Sequence, residues 1–170
     1  MTATSNVVLI GMPGAGKSTV GPRLAEATGR AFIDVDDELS AREGRSVRLL
    51  FDELGRDGFL ELEQDYLLGL DVSSTVVATG GSAIYSTLAM LYLSGLGTVV
   101  HIDVPLAVLA ERVPDVGPRG VVRQPGQELA ELFEEREPLY RHWADVSIEA
   151  GDADVETVVE CIAATLGKVH

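Results

Sequence analysis

The stretch Asn6-Val7-Val8-Leu9-Ile10-Gly11-Met12-Pro13-Gly14-Ala15-Gly16-Lys17-Ser18-Thr19 decides how the rest of the chain is read. Asn6–Ile10 is a short, mostly apolar run ending at a glycine, the pattern of a buried strand. From Gly11 to Ser18 every fixed position of G-x-x-x-x-G-K-[ST] is filled, and helix-compatible sequence follows. Glycines let the backbone turn its N–H groups inward around phosphate oxygens. The N-terminus of the next helix adds partial positive charge. Lys17 is placed to reach the β- and γ-phosphates and Ser18 to hold Mg²⁺. Gly11, Gly14, Ala15, Gly16, Lys17, Ser18 and Thr19 are therefore the candidate nucleotide-binding residues. The competing account is a glycine-rich turn that ends in Lys-Ser by accident. Only two lysines occur, Lys17 and Lys168, and one of them falls on the motif, which weighs against accident.

Outward from this loop, strand and helix signals alternate. Residues 18–28 read as a helix stopped at Gly29, with Pro22 confined to its first turn or two. Strands are predicted at 31–35, 75–79, 98–103 and 144–148. Helices are predicted at 37–43, 46–53, 59–68, 87–93, 105–112, 127–136 and 155–166, with a break at Gly44. The stretch 114–126, rich in Pro and Gly without a period, reads as a loop. Strands separated by helices imply βαβ units and a parallel sheet covered on both faces. No repeat, low-complexity tract or linker divides the chain.

The 170 residues carry 13 Lys+Arg against 27 Asp+Glu, a net charge of −14. This balance argues against a protein that tracks nucleic-acid phosphates, and it makes each arginine informative. The apolar share, 46%, is enough for one folded domain with a proper core. The single Cys161 excludes an internal disulfide and a thiolate metal cluster, and it reads as inert filler in an apolar helix. No apolar run reaches membrane-spanning length, and the first residues lack the pattern of a secretory leader. The expectation is a cytoplasmic, monomeric protein with a small-molecule substrate and neither nucleic acid nor membrane as partner.

Further features point to an acceptor beside the nucleotide. Asp34-Val35-Asp36 ends the second predicted strand, where alternation would turn both carboxylates to one face. One could hold Mg²⁺ through water and the other receive an acceptor hydroxyl; a solvated helix cap is the plainer account. Gly80-Gly81-Ser82 follows the third strand and permits close approach of backbone to ligand. Arg119, and more weakly Arg123, lie in the Pro/Gly loop, where a mobile arginine could stabilise transferring charge. Arg136 carries a guanidinium fork suited to a carboxylate, against the simpler alternative of a helix-surface ion pair. Asp52-x-x-Gly55 is like a GTPase switch fragment, but no Asn-Lys-x-Asp guanine reader accompanies it. The three histidines share no metal-binding spacing, and Trp143 reads as core or rim.

In order along the chain, GMPGAGKS (11–18), FIDVDDELS (32–40), EGRSVRLLF (43–51), ATGGSAIY (78–85), the Arg119 loop and EREPLY (135–140) resemble the shikimate kinases over nearly the whole length. The resemblance implies a P-loop kinase of α/β class, a three-layer sandwich with a five-stranded parallel sheet flanked by helices. It implies one domain, 1–170, with an acceptor-binding part at about 34–65 and a lid loop at about 113–126. It implies MgATP as donor. Position by position, Lys17, Asp36 and Arg119 would be catalytic. Ser18 and Asp34 would serve the metal, and Arg112 would flank adenine. Asp36, Glu63, Gly80, Gly81, Ser82 and Arg136 would meet the acceptor.

One departure stands out. The family's arginine in the helix over 58–68 falls on Leu60, while the glutamate that pairs with it is kept as Glu63. The acceptor is therefore read as shikimate by family default. Homoserine is the rival, its ammonium meeting an acidic wall from Glu61 or Glu63. A nucleotide kinase and a non-catalytic nucleotide-binding module are more distant alternatives.

Overall fold

A computed structural model of the chain describes residues 5–113 and 121–168. Five parallel strands form one sheet: β1 (Asn6–Ile10), β2 (Ala31–Asp34), β3 (Thr75–Ala78), β4 (Gly97–Asp103) and β5 (Val146–Glu149). Their order is β2-β3-β1-β4-β5. Every residue of β1 is buried, as the central strand of a doubly covered sheet requires. The helices are α1 (Lys17–Thr28), α2 (Val35–Glu43), α3 (Val47–Leu68), α4 (Thr87–Leu96), α5 (Leu106–Arg112), α6 (Leu129–Trp143) and α7 (Val155–Leu166). α1 packs against α7, β2 and β3, while α4 packs against β1, β4 and α3. The expected α/β sandwich is present.

The strand order brings the carboxyl ends of β1 and β3 side by side. There the loop at 11–16 meets the loop at 79–82, the crevice in which open α/β sheets bind ligands. Thr79 closes the junction, its backbone N–H and its hydroxyl both donating to the Leu9 carbonyl, at 3.1 and 2.9 Å. At the other end of the sheet, buried Asn6 donates to the carbonyls of Val72 (2.9 Å) and Leu96 (3.0 Å). Its Oδ1 accepts from the Thr75 N–H at 3.0 Å. A polar residue opening an apolar strand is thereby satisfied rather than stranded.

Several boundaries differ from the sequence reading. The predicted helices 46–53 and 59–68 are two halves of α3, joined at Gly55, whose φ of 71° and ψ of 179° break the helical path. Only glycine adopts that φ without strain. α6 does not stop at Arg136 but runs through Pro138 to Trp143, because Tyr140 on its last turn is drawn into the core. β5 begins at Val146, two residues later than expected, in register with Val100 of β4. α2 starts at Val35, so Asp36 belongs to a helix and not to a strand face. A 3-10 turn, Ala83–Tyr85, was not foreseen. Cys161 is exposed on α7 and is not core filler. Among the described residues no helix is long and apolar enough to cross a membrane.

Gly97 tests the sheet. A Cβ there would lie 2.1 Å from the Asn6 carbonyl oxygen, a backbone atom that cannot move without parting β1 from β4. Two residues earlier, a Cβ on Gly95 in α4 would meet nothing within 4 Å. Gly97→Ala is expected to lower stability by about 1–3 kcal/mol. Gly95→Ala is expected to raise it by up to ~1 kcal/mol through helix propensity. Denaturant unfolding of the two variants checks this, and equal midpoints would show that the contact is soft.

Candidate active site

The glycine-rich loop takes the shape its composition permits. Gly11, Gly14 and Gly16 have φ values of 154°, 82° and 97°, and Gly16 caps α1. Lys17, 8% exposed, curls back so that its ammonium donates to the carbonyls of Gly11 (2.6 Å) and Met12 (2.9 Å). The Ser18 hydroxyl donates to Asp34 Oδ2 at 2.6 Å. The other oxygen of Asp34 accepts from the N–H groups of Asp36 (3.1 Å) and Asp37 (3.3 Å), which makes Asp34 the N-cap of α2. The carboxylates of Asp34 and Asp36 thus share a neighbourhood through a helix cap. The expectation of a common strand face is corrected: the strand ends at Asp34, and its carboxylate folds over to take the first helical N–H groups.

A cleft of about 750 Å³ runs from this loop toward the end of β3, and Asp36, Gly80, Gly81, Ser82, Arg112 and Arg136 are among its walls. Gly80 and Gly81 have no room for side chains. A Cβ on Gly80 would lie 2.7 Å from Glu63 Oε2 and 2.8 Å from Asp36 Oδ1. On Gly81 it would lie 2.8 Å from Arg136 Nη1. Arg136 is 1% exposed. Its Nε donates to the Tyr85 hydroxyl at 3.1 Å and its Nη2 to the Val122 carbonyl. The buried Tyr140, one turn on, donates to the Gly81 carbonyl at 2.6 Å. Burial lifts the Tyr140 hydroxyl to about 12, so it stays protonated. Among the described residues no carboxylate lies within 4.0 Å of the Arg136 guanidinium. A permanently charged group is held in the interior by neutral acceptors, an arrangement that favours a bound anion.

Glu63 is also buried, at 2% exposure, but it stands behind Ser82 and is not part of the cleft wall. Ser82 Oγ donates to its Oε1 at 2.7 Å, while Oε2 has no hydrogen-bond partner. Glu61 is exposed. The acidic wall expected from Glu61 or Glu63 is therefore not formed at the cleft surface. Burial, then the nearby Asp36 carboxylate, raises the Glu63 pKa to about 7; the Ser82 hydrogen bond, Arg136 and Lys17 counter this only in part.

Arg112, exposed at the end of α5, donates to the Gly14 carbonyl at 3.3 Å and so stands beside the loop. Arg119 lies outside the described residues. Arg123 bonds within its own loop, to the Gln127 carbonyl at 3.2 Å. His101 is stacked on Tyr140, with ring centroids 5.3 Å apart, and burial lowers its pKa. Three residues near the cleft went unassigned from sequence: Arg56, Tyr85 and Tyr140. Both tyrosines stand in stretches that carried the family resemblance. Arg56 precedes Leu60 by one helical turn, and that spacing was the available signal.

Fold and loop together define a P-loop phosphotransferase. Residues 13–167 match the shikimate kinase family model. Shikimate kinases from Francisella philomiragia and from Francisella tularensis subsp. novicida are each 36% identical over 98% of this chain and 97% of their own. Among solved structures, the shikimate kinase from Acinetobacter baumannii in complex with shikimate superposes with a TM-score of 0.89. It is 32% identical over 96% of this chain and 93% of that one. The Bacteroides thetaiotaomicron shikimate kinase gives 0.82 at 29% identity, over 96% and 98%. A deoxyadenosine kinase from M. mycoides, at 16% identity and a TM-score of 0.57, shares the fold alone. The chain belongs to the shikimate kinase family and is an ATP-dependent phosphotransferase acting on a hydroxyl.

Glu63 makes the site's stability pH-dependent with a definite sign. Its carboxyl binds a proton more tightly folded than unfolded, so stability is lost as pH rises from about 4.5 to about 7 and is flat above. Glu63→Gln removes the ionisation and keeps an oxygen for Ser82. The variant is expected to match the wild type near pH 4.5 and to exceed it at pH 8 by no more than about 3 kcal/mol. Thermal melts across pH 4.5–8 check this, and parallel profiles for the two proteins would sink it.

Proposed function

We propose that the chain transfers the γ-phosphoryl group of ATP to a hydroxyl of shikimate. The observation that carries the acceptor is the buried Arg136 guanidinium at the cleft wall, with no carboxylate of the described residues within ion-pair distance. It calls for an anionic acceptor, and the carboxylate of shikimate is such an anion. Glu63, the group on which an amino-acid alcohol such as homoserine would depend, stands off the cleft. The likeness to a shikimate-bound relative supports the same acceptor.

In this reading the glycine loop and the N-terminus of α1 hold the phosphates, and the Lys17 ammonium leaves its loop carbonyls to follow charge onto the β- and γ-oxygens. Arg112 borders the nucleotide. Mg²⁺ fits the hard oxygen pair formed by Ser18 Oγ and the Asp34 carboxylate, 2.6 Å apart. Among the described residues no cluster of three or more His, Cys, Asp or Glu competes for it. When bound, Mg²⁺ neutralises phosphate charge. Gly80 and Gly81 offer backbone to the acceptor, and Asp36 orients its hydroxyl. As the hydroxyl oxygen bonds to the γ-phosphorus, the bond to the β–γ bridging oxygen breaks, ADP departs, and the hydroxyl proton passes to Asp36.

The test is ADP release with shikimate, homoserine, threonine and gluconate as acceptors. Shikimate alone is expected to drive turnover, and preference for homoserine would overturn the assignment. Lys17→Ala should lower kcat by at least about a hundredfold, since phosphoryl transfer rests on electrostatic stabilisation. Near-wild-type turnover in that variant would remove the phosphate loop from the mechanism. Asp36→Asn should reduce kcat strongly while ATP binding is retained, as calorimetry would show. An unchanged kcat would mean that Asp36 neither positions nor deprotonates the hydroxyl.

A further inference from the structure

We infer that Arg56 is a second cation for the acceptor carboxylate, a specificity-determining residue that acts with Arg136 across Tyr85. The inference rests on the shikimate reading above and extends it to a residue outside the positions assigned so far.

The two guanidiniums converge on one ring. The Arg56 Cζ stands 4.9 Å from the Tyr85 ring centroid and the Arg136 Cζ 5.2 Å from the same centroid. They can therefore be no more than about 10 Å apart, and Arg136 lines the cleft. In a chain with a net charge of −14, two permanent cations at one tyrosine are a local inversion of the field. Among the described residues neither is closely paired with an acid, though both act on the Glu135 carboxylate from a distance. Arg136 donates to the Tyr85 hydroxyl and the Val122 carbonyl. Arg56 forms an ion pair, at 3.6 Å, with its neighbour Asp57, whose side chain is 98% exposed. An ion pair that open to water contributes little. The carboxylate at the ring is Glu135, which accepts from the Tyr85 hydroxyl at 2.5 Å and from Gln127 at 2.8 Å. It braces the phenol from the solvent side.

The fold explains why Arg56 can serve. Gly55 interrupts α3, and the helix restarts at Arg56. Arg56, Leu60 and Glu63 then recur at i, i+4 and i+7, which puts them on one face. Glu63 on that face lies against Gly80 and Ser82, so the face is directed at the acceptor side of the cleft. Leu60 brings no charge. Arg56 stands one turn before Leu60 against the Tyr85 ring, outside the cleft lining, and its side chain is 34% exposed. A long arginine resting on an aromatic face can swing to a carboxylate held by Arg136 and keep the stacking contact. The alternative is that Arg56 only braces Tyr85 and Glu135.

The experiment is a cycle between residue and ligand. Arg56→Ala and Arg56→Gln are assayed with shikimate and with its analogue in which the carboxylate is reduced to a hydroxymethyl group. Arg56→Ala is expected to raise the KM for shikimate about tenfold, with the KM for ATP and the melting temperature little changed. For the neutral analogue the same substitution should have no more than a twofold effect. Arg56→Ala with Leu60→Arg should recover most of the lost affinity, because both positions address one carboxylate from one helix face. Equal losses for the charged and neutral acceptors would overturn the inference and leave Arg56 as a brace. So would an unchanged shikimate KM. Absence of shikimate turnover in the wild type would remove the shikimate reading and this inference together.

Discussion

Arg136 is charged at every accessible pH and lies almost wholly inside the protein. A guanidinium in that position must be supplied with acceptors from several directions, and the supply organises the site. Tyr85 comes from the 3-10 turn after β3 and Val122 from the chain before α6, while Gly81 in the loop after β3 keeps its side-chain space free for the guanidinium. Arg136 and Tyr140 sit one turn apart on α6, so the helix is tied to the Gly81 carbonyl through Tyr140 and to Tyr85 and Val122 through Arg136. The burial of Tyr140 accounts for the persistence of α6 through Pro138: the missing hydrogen bond is a smaller loss than withdrawing Tyr140 from the core.

A second buried charge stands behind Ser82. Glu63 is buried with one oxygen satisfied and one not, close to the Asp36 carboxylate. Two acids near one backbone glycine repel, and one of them then tends to keep its proton. Gly80 is the hinge of this arrangement, since any side chain there would collide with both. A side chain at 80 or 81 would displace the Glu63, Asp36 or Arg136 charged groups from their present positions.

What could be read from the sequence followed the locality of the interactions. The phosphate loop is made by consecutive residues whose φ values and N–H directions are set by glycine, so it was visible at once, and the parallel sheet followed from alternating signals. Asp34 and Asp36 do stand near one another, but not on the strand face that alternation predicted. A carboxylate at a strand end can continue the strand or cap a helix, and only tertiary packing of Val35 and Leu39 selects the cap. The end of α6 was misplaced because proline is a local signal and the burial of Tyr140 is not. Cys161 was misplaced because periodicity identifies an apolar face only within a residue or so. Arg119 lies outside the described residues, so the sequence expectation for it stands as an expectation.

Leu60 and Arg56 show how a loss at one position can be misread as a loss of function. Taken alone, an apolar residue where relatives carry a cation removes one charge-assisted contact, on the order of 1.5–3 kcal/mol, and invites a different acceptor. A helix, however, is read by face and not by position. One turn earlier on the same face stands a guanidinium that shares an aromatic platform with Arg136. Glu63, which would have had to meet an ammonium, is sealed behind Ser82 instead. At the cleft surface the charged side chain beside the proposed carboxylate position is Arg136, with Arg56 and Glu135 across the Tyr85 phenol and Asp36 on the wall near Gly80. The acidic wall from Glu61 or Glu63, on which the sequence argument for a zwitterionic acceptor rested, is not formed at the cleft surface among the described residues.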